Sequence, residues 1–473
     1  MGDLKRLQLK LYNTRTRRIE PFEPLVAGKV RIYVCGLTPS AEAHLGHARS
    51  FLFFDVLRRY LKHCGYAVTH VQNVTDIDDR SINRARETAE NWYDIVTQYY
   101  ASFKRSMARL GVSDPDEEPY ATKFIAPILD MIEALVDQGY AYVAKDGVYY
   151  RVAAFDRYGE LSNRNLDELM AGARIEVDEA KSDPLDFALW KFAKPGEPKW
   201  PSPWGEGRPG WHIECSAMSR QLLDCDGEGF DIHGGGADLI FPHHENEIAQ
   251  SEPLMKRPPM ANFWMHGGLL LFENQKMSKS LGNFEPLYEL LDRHDPQAIR
   301  LLFLQTGYRK VMNFTEESIG AATVTLERLK KMYRGMASGE GNGLIKAVEA
   351  ALNEDMNTAV ALAAVVAYEG NDAQAFSYAL ELLGIAPDES WLQEPEFSLP
   401  ADFIERLSSV LTGETFNGAA PEQAIEHVIA LRARARAEKN WAESDRLRDV
   451  LLGCGVALKD SKDGTTWSIA APK

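Results

Sequence analysis

A strand, a helix and a second strand follow one another in residues 30–71, and this succession constrains the fold more than any other feature of the sequence. Residues 30–34 are mostly β-branched or aromatic, which is typical of a buried strand. In residues 45–63 apolar side chains recur at three- and four-residue spacing, and Gly65 stands where a helix would end. Residues 67–71 repeat the strand pattern. Parallel strands need such a crossover, so the sequence predicts an α/β fold with a parallel sheet.

The length and the later segments predict several domains. The chain has 473 residues, more than one hydrophobic core usually serves, and roughly two to four domains are expected. Residues 90–200 change to helical stretches and then to a mixed polar region, which indicates an insertion. Strand-like and helical pieces resume in residues 211–272, and the chain is mainly helical from Pro296. A Gly-rich stretch at 335–343 indicates a linker, and a last module begins near Pro421.

Composition predicts a soluble cytoplasmic protein with no membrane partner. The chain is 45% hydrophobic and 26% charged, with no long apolar run and no secretory leader pattern at its N-terminus. Five scattered cysteines argue against a disulfide framework. The net charge of −16 gives no sign of nucleic-acid binding, although local basic patches can still bind RNA.

Two short motifs together predict a split phosphate-binding site. His-Leu-Gly-His at residues 44–47 falls at the turn from strand to helix, where free backbone N–H groups and the positive helix end favour an anion. Lys-Met-Ser-Lys-Ser at residues 276–280 places two lysines in a loop, where they could neutralise a departing pyrophosphate. Alone, the first motif reads equally well as a solvated turn and the second as an exposed charged loop. Their occurrence on two sides of one split sheet favours the phosphate site.

Three other motifs point to different enzymes and fail on context. The Gly-x-Gly-x-x-Gly pattern at 205–210 follows a Trp- and Pro-rich stretch instead of a strand, which argues against a dinucleotide site. His-Gly-Gly-Gly at 233–236 suits a lipase, but the chain has no Gly-x-Ser-x-Gly elbow. His-His-Glu-Asn-Glu at 243–247 lacks the second histidine of a His-Glu-x-x-His zinc protease.

Four residues form a candidate metal-binding set. His243 and Glu247 are four apart, so on a helix they would face the same way. With Cys35 and Cys215 they offer two thiolates, one imidazole and one carboxylate, which Zn²⁺ accepts. Each residue alone has a plainer interpretation, since a cysteine at a strand end is usually a buried small hydrophobe. Spacing alone therefore leaves the metal open.

The two phosphate motifs resemble the HIGH and KMSKS signatures of class I aminoacyl-tRNA synthetases, with Leu45 in place of the commoner isoleucine. This resemblance implies a Rossmann-like catalytic domain that uses ATP with Mg²⁺. It also implies that His44 and His47 stabilise the α-phosphate while a carboxylate attacks, and that Lys276 and Lys279 hold the β- and γ-phosphates.

Longer motifs resemble the cysteinyl-tRNA synthetase family, from about residue 8 to residue 467. They are Tyr-Val-Cys-Gly at 33–36, Asn-Val-Thr-Asp-Ile-Asp-Asp at 73–79, and the runs at 210–218 and 231–247. The resemblance implies that Cys35, Cys215, His243 and Glu247 bind zinc. It further implies a substrate pocket of Gly36, Thr75, Trp211 and His233, with Asp238 near the adenylate. Residues 39–43 depart from the family pattern, so the conformation of the loop before His44 is open.

The C-terminal module resembles the anticodon-binding end of the same family. The helix at 433–451 is strongly charged, which usually means only a solvated face. Here Trp441 stands among arginines, and aromatic rings with guanidinium planes bind unstacked RNA bases. The resemblance implies that Arg436, Trp441 and Asp445 read the GCA anticodon of tRNA(Cys).

The family resemblance predicts a monomeric ligase that takes L-cysteine, ATP and tRNA(Cys). Two alternatives remain: a small ligase that joins cysteine to an amino sugar, and a catalytically inactive RNA-binding regulator. The first should lack the anticodon module, and the second should have lost a motif residue. The expected domains are residues 1–100 and 205–260 (two halves of the catalytic domain), 101–204 (inserted connective segment), 261–335 (KMSKS loop and stem-contact region), 344–412 (helical bundle) and 421–473 (anticodon-recognition module).

Overall fold

The structure is a computed structural model that describes residues 9–165, 181–224, 226–276, 285–337, 342–393, 402–411, 416, 420–461 and 464–469. The chain forms two compact units, residues 1–391 and residues 392–473. Of the predicted site residues, Lys279 lies outside the described part, and Lys276 is described only as the end of a strand.

The first unit contains four described sheets. Its strands are β1 (Lys10–Asn13), β2 (Arg18–Pro21), β3 (Lys29–Leu37), β4 (Ala67–Val74), β5 (Ala141–Val143), β6 (Gly147–Tyr150), β7 (Phe187–Phe192), β8 (Gly207–Pro209), β9 (Phe230–Gly236), β10 (Ala261–Gly267), β11 (Leu270–Phe272), β12 (Gln275–Lys276) and β13 (Met312–Phe314). The helices in residues 45–392 are α1 (Leu45–His63), α2 (Asp79–Thr88), α3 (Trp92–Arg109), α4 (Ile125–Asp137), α5 (Trp211–Leu223), α6 (Glu245–Ser251), α7 (Leu287–Arg293), α8 (Pro296–Leu304), α9 (Glu316–Arg334), α10 (Asn342–Leu352), α11 (Thr358–Val366), α12 (Ala373–Leu382) and α13 (Glu389–Leu392).

The central sheet is parallel, as the sequence predicts, with strand order β10-β9-β3-β4. Tyr33 in β3 is in register with Val71 on one side and with His233 on the other. The chain leaves β3 toward β4 in one direction and later returns to β9 in the other. In open α/β sheets such a switch point leaves a crevice at the carboxyl ends of the strands, where ligands bind.

Helix α1 covers the sheet over the predicted range, Leu45–His63. Its buried face includes Leu52, Val56 and Leu57, in the core shared with Val30 and Ile32 of β3. The helix gives way at Cys64, followed by Gly65 with a positive φ of 89°. Gly65 therefore occupies a left-handed conformation that favours glycine, and it ends the helix as the sequence predicts.

The chain between β4 and β9 carries an antiparallel sheet of order β5-β6-β7-β8. Helix α4 contributes Ile128, Met131 and Ile132 to the same hydrophobic core as Trp190 of β7. The four strands are short, at three to six residues. The sequence identified this segment as an insertion, but its strands are too short for their pattern to be recognised.

The second unit is small and has its own core. It contains α14 (Phe403–Val410), α15 (Pro421–Ala437), α16 (Trp441–Gly453), β14 (Val456–Ser461) and β15 (Gly464–Ile469). The two strands pair antiparallel, and Leu407, Ile425, Val428 and Leu451 are fully buried. Within the described ranges of the whole chain, no helix is both long and apolar enough to cross a membrane.

Candidate functional site

A cavity of about 600 Å³ opens at the carboxyl ends of the central strands. It is lined at one end by Cys35 and Gly36 from β3 and by Trp211 from α5. At the other end it is lined by the histidines at the start of α1 and by Asp238. The cavity therefore runs from Cys35, one member of the predicted metal set, to the histidines of the predicted phosphate site. It lies at the switch point between β3 and β9, where the parallel sheet predicts a ligand.

Cys35, on the wall of this cavity, belongs to a buried cluster of the four predicted metal ligands. The Sγ atoms of Cys35 and Cys215 are 3.8 Å apart, and Cys35 Sγ is 3.4 Å from Glu247 Oε1. His243 Nε2 lies 3.2 Å from the same carboxylate oxygen. All four donor atoms lie within 4.8 Å of one another, and all four side chains are buried.

These spacings fit a tetrahedral zinc site. Two sulfur atoms each about 2.3 Å from a zinc ion at the tetrahedral angle stand about 3.8 Å apart. The Cys35 and Cys215 sulfur atoms have this separation, 3.8 Å. A nitrogen and an oxygen ligand at about 2.1 Å would stand about 3.4 Å apart, and the His243–Glu247 distance is 3.2 Å. The donor set thus matches zinc in both chemistry and spacing.

Local structure explains how distant residues meet here. Cys35 lies near the carboxyl end of β3, and Cys215 lies one turn into α5, on the same face as Trp211. Glu247 is in the first turn of α6. His243 precedes that helix, in an irregular segment where Phe241 is extended. The two residues meet as the sequence predicts, although a regular helix begins only at Glu245.

Further histidines surround the cluster, and sequence analysis did not identify their roles. His244 Nε2 lies 3.3 Å from Cys35 Sγ, and its Nδ1 is 2.8 Å from His266 Nε2. A second group of four candidate ligands, Cys35, His233, His244 and Glu247, therefore shares two members with the first. His212 Nδ1 is 2.9 Å from His243 Nδ1. His244 directly follows the predicted ligand His243, and His212 directly follows the predicted substrate residue Trp211; these positions were the available signal.

Burial sets the protonation of these groups. It lowers the pKa of His243 and His244 well below the ordinary value, helped by neighbouring imidazoles. It lowers the pKa of His212 to about 3. Burial also raises the pKa of the Cys35 and Cys215 thiols. The rings are consequently neutral, as metal ligands must be, while the thiols need a nearby positive charge to ionise.

The phosphate end is built by two stacked histidines. The rings of His44 and His47 are 3.8 Å apart and nearly parallel. His44 Nδ1 accepts from the backbone N–H of Gly46 at 3.0 Å, and His47 Nδ1 accepts from the backbone N–H of His44 at 3.3 Å. Since each Nδ1 is an acceptor, a neutral ring carries its proton on Nε2. The capping of α1 thus fixes two ring N–H donors at the helix N-terminus.

Arg49 links the two halves of the site, and sequence analysis missed it. From α1 its guanidinium donates to the carbonyls of Leu269 at 2.9 Å and Lys310 at 2.6 Å, and more weakly to those of Gly268 and Gly307. Burial lowers its pKa to about 10. Its carbonyl partners flank β11 and β13, and β11 pairs with β12, which ends at Lys276. The arginine therefore ties the start of α1 to the hairpin that precedes the lysine motif.

The predicted substrate residues occupy different depths. Gly36 lies on the cavity wall, and a Cβ there would stand 1.6 Å from the carbonyl oxygen of Asn73, so the close approach of β3 and β4 requires glycine. Thr75 is buried behind that wall, and its hydroxyl accepts from Asn73 Nδ2 at 3.2 Å. Trp211 lines the cavity and its ring centroid is 4.3 Å from that of His243. His233 is fully buried, with Nε2 2.9 Å from Glu247 Oε2.

The divergent loop at residues 39–43 is anchored at its C-terminal end. Glu42 accepts from the Ser102 hydroxyl at 2.7 Å. The carbonyl of Ala43 accepts from the backbone N–H of Leu287 at 2.8 Å. Ser40, Ala41 and Glu42 line the cavity beside His44. The altered sequence therefore keeps a defined wall before the histidine motif.

In the second unit, Arg436, one of the predicted anticodon residues, contacts an acidic residue that sequence analysis missed. Asp460 accepts two hydrogen bonds from Arg432, both at 2.9 Å, and its Oδ2 is 3.2 Å from Arg436 Nη1. The hydrogen bond from Arg432 lowers the pKa of Asp460. Trp441 begins α16 and is 58% exposed, and Asp445 follows one turn later. The hydrogen bond to Asp460 and the charge of Asp445 raise the pKa of Arg432. The second unit thus carries both an exposed aromatic ring and a network of arginines and carboxylates.

Known proteins resemble both units. The family model described as tRNA synthetases class I (C) catalytic domain matches residues 21–324, and that of the cysteinyl-tRNA ligase anticodon binding domain matches residues 421–467. The cysteine–tRNA ligase of Ectopseudomonas mendocina is 47% identical and is covered over 98% of this chain and 100% of its own length. That of Pseudomonas aeruginosa is 45% identical over the same shares.

Solved structures share the fold at low sequence identity. Methionyl-tRNA synthetase of Mycobacterium tuberculosis, bound by methionyl-adenylate, has a TM-score of 0.56 at 14% identity, over 77% of this chain and 86% of the other. The match of both family models and the identity over nearly the whole length lead to one conclusion. The chain belongs to the cysteine–tRNA ligase family of class I aminoacyl-tRNA synthetases.

Proposed function

We propose that this chain activates L-cysteine with ATP, giving cysteinyl adenylate and pyrophosphate, and then transfers cysteine to the 3′-terminal ribose of tRNA(Cys). The observation that carries the proposal is the shared cavity. Cys35, one of a buried donor set of two thiols, an imidazole and a carboxylate, lines one end, and paired histidine donors line the other. An amino acid held at the first end can present its carboxylate to a phosphate at the second.

Zinc would be held by Cys35, Cys215, His243 and Glu247. When bound, zinc lowers the pKa of a thiol that joins it and bonds the resulting thiolate. His212 and His233 support the set, since His212 contacts the outer nitrogen of His243 and His233 contacts the outer oxygen of Glu247. Such outer contacts orient metal ligands and raise metal affinity.

The proposed site distinguishes cysteine from serine by chemistry instead of shape. The two substrates differ by sulfur for oxygen, and a pocket that reads a change of this size by shape gains only about 1–3 kcal/mol. A serine hydroxyl stays protonated at neutral pH, whereas a cysteine thiol with a pKa near 8.5 ionises readily beside a cation. Trp211 and Gly36 would close the pocket around the substrate, with Thr75 and His233 supporting it from behind.

The histidine end would hold ATP with Mg²⁺. The Nε2–H groups of His44 and His47 would donate to the α-phosphate as the carboxylate attacks, because charge builds there in the transition state. Lys276 and Lys279 would bind the β- and γ-phosphates, and Asp238 would contact the adenylate. Mg²⁺, when bound with ATP, neutralises phosphate charge.

The second unit would recognise the tRNA anticodon. Arg436, Trp441 and Asp445 would read the GCA anticodon, with Trp441 as an exposed stacking surface and Asp460 orienting the arginines. We further infer the six-part domain division given above, a monomeric state and a cytoplasmic location. The match to an anticodon-binding domain over residues 421–467 favours this function over a small ligase that joins cysteine to an amino sugar.

The test is cysteine-dependent exchange of pyrophosphate into ATP, followed by charging of tRNA(Cys). We expect exchange that depends on cysteine, and attachment of cysteine to tRNA(Cys) but not to a tRNA with another anticodon. Exchange without charging would contradict the tRNA ligase and support the small ligase. Absence of both would support the inactive regulator.

A further inference from the structure

Arg80 differs from Arg49, the other arginine that lines the cavity, because the Arg80 guanidinium has no hydrogen-bond or ion-pair partner within the described residues. It lies at the start of α2, is exposed, and lines the cavity together with His44 and His47. Arg49 also lines the cavity, but four backbone carbonyls occupy its guanidinium. Arg80 is thus a charged group that faces the phosphate end and remains available to a ligand.

The acidic residues next to Arg80 are engaged elsewhere. Asp78 caps α2, accepting from the backbone N–H of Arg80 at 2.8 Å. Asp79 turns away from the cavity and pairs with Lys191 at 2.6 Å and with Arg208. Neither carboxylate therefore holds the Arg80 guanidinium, although both adjoin it in sequence.

The same contacts fix where α2 begins. Lys191 lies in β7 and Arg208 in β8, so Asp79 fastens the first turn of α2 to the antiparallel sheet. Two turns along, Arg86 pairs with Glu197 at 3.0 Å. The backbone of Arg80 is consequently held in place while its side chain extends over the cavity.

The charge of Arg80 affects the pKa of His47 at the phosphate end of the cavity. The pKa of His47 is lowered well below its ordinary value, first by burial and then by the charges of His44 and Arg80. His47 is therefore a neutral donor, and Arg80 adds a positive charge to this end of the cavity. A guanidinium presents several N–H donors in a plane that matches phosphate oxygens.

We propose that Arg80 is a further catalytic residue of adenylate formation, which binds a phosphate oxygen of ATP and neutralises the charge on the departing pyrophosphate. The inference rests on the proposed function. In this step a carboxylate oxygen of cysteine bonds to the α-phosphorus, and the bond from that phosphorus to the bridging oxygen breaks. The electron pair leaves with pyrophosphate, and Arg80 transfers no proton.

The test compares Arg80→Gln and Arg80→Lys with Arg86→Gln, a matched control on the same helix whose side chain pairs within the protein. We expect Arg80→Gln to lower kcat of pyrophosphate exchange about 10²–10³-fold, as removal of one transition-state donor does elsewhere. Arg80→Lys should recover part of this loss, because it keeps the charge but not the planar fork. The KM for cysteine, the zinc content and the activity of Arg86→Gln should stay near those of the unmodified chain.

Transfer from preformed cysteinyl adenylate to tRNA(Cys) separates ATP binding from tRNA binding. Arg80→Gln should leave this single-turnover rate within about twofold, since the phosphate chemistry is then complete. Loss of transfer with normal exchange would show that Arg80 contacts tRNA and would overturn the inference. So would normal exchange by Arg80→Gln with an unchanged melting temperature. If Arg80→Gln fails to fold, full exchange activity of Arg80→Lys together with an unchanged KM for ATP would overturn it. An unmodified chain without exchange would instead refute the proposed function.

Discussion

At the scale of single residues, burial determines what the candidate site can bind. Cys35, Cys215, His243 and Glu247 are all buried, and the two thiols and the imidazole are held in their neutral forms. Burying four such groups together is costly unless a partner compensates them. A divalent metal would compensate all four at once, so each ligand should be needed for metal retention.

Replacing Cys215 by serine should remove zinc from the chain. Serine keeps the size of the side chain but does not supply a thiolate. Loss of a residue that only orients a metal ligand lowers metal affinity about 10–100-fold, so loss of the ligand itself should lower zinc affinity by more. Metal analysis of the purified variant measures this. Cys64→Ser is the matched control, because Cys64 is also buried in the first unit but lies at the end of α1 and belongs to neither candidate group. Equal zinc content in the two variants would contradict the ligand set.

A second residue-scale prediction concerns acid stability and His70. Burial and the charge of Arg58 lower the pKa of this ring to about 4, against the opposing carboxylates of Asp116 and Asp55. An unfolded histidine titrates near pH 6.5. Between about pH 6.5 and pH 4 the unfolded chain therefore binds a proton that the folded chain does not, and the free energy of unfolding falls as the pH falls.

His70→Phe should weaken this acid dependence. Neither ring nitrogen of His70 has a hydrogen-bond partner among the described residues, so phenylalanine sacrifices no hydrogen bond. The pKa change corresponds to about 3 kcal/mol between neutral pH and pH 4. Thermal unfolding of the first unit at pH 7 and pH 4.5 measures the difference. The same pH dependence in both proteins would show that His70 does not titrate as described.

At the scale of elements, residues from distant parts of the sequence decide the packing. Sequence periodicity predicts α1 and the strands beside it correctly, because each pattern is local. It could not predict that Arg49 and Asp55 on this helix would meet segments more than 200 residues away. Periodicity also could not predict the histidines around Cys35, because the carboxyl ends of β3, β9 and β10 come together only in the folded sheet.

Arg300→Met should destabilise the first unit strongly. Arg300 on α8 pairs with Asp55 on α1, both about 1% exposed, and it also donates to the carbonyls of Leu383 and Leu110. Burial raises the pKa of Asp55, but Arg300 and Arg59 outweigh it and leave the pKa below the ordinary value. Removing Arg300 leaves a buried charge less compensated, which typically costs about 3–5 kcal/mol.

The control for Arg300→Met is Arg109→Met. Arg109 pairs with Asp292, but both side chains are exposed, at 40% and 64%. Such surface pairs contribute about 0–1 kcal/mol. Urea unfolding should therefore separate the two variants by several kcal/mol. Similar midpoints would contradict the structural role assigned to the buried pair.

At the scale of the whole molecule, a catalytic-domain family model matches residues 21–324 and an anticodon-binding one matches residues 421–467. The sequence predicted these family relationships better than it predicted the contacts within each part. The motifs at 210–218 and 231–247 are long enough to identify the family, and the family matches bear this out. The cluster geometry, the Arg49 link and Asp460 follow only from the fold. These depend on side-chain directions and on contacts between strands that no local pattern encodes.

Trp441→Ala should impair tRNA charging specifically. The ring is 58% exposed at the start of α16, and stacking of one base on an aromatic side chain is worth about 1–3 kcal/mol. We expect kcat/KM for tRNA(Cys) to fall about 10–100-fold, while pyrophosphate exchange, which needs no tRNA, reports an intact active site. Leu452→Ala is the control, since Leu452 is also exposed on α16, at 44%. Equal effects of both variants on charging would contradict a role for Trp441 in recognition.

The most direct test of the account is the ratio of kcat/KM for cysteine to that for serine in pyrophosphate exchange by the zinc-loaded chain. A pocket that reads only shape would give a ratio of about 10–200. A site in which the buried set around Cys35 and Cys215 selects an ionised thiol predicts a ratio above about 10⁴, as for sites that depend on one substrate group. A ratio within the shape-only range would contradict the account.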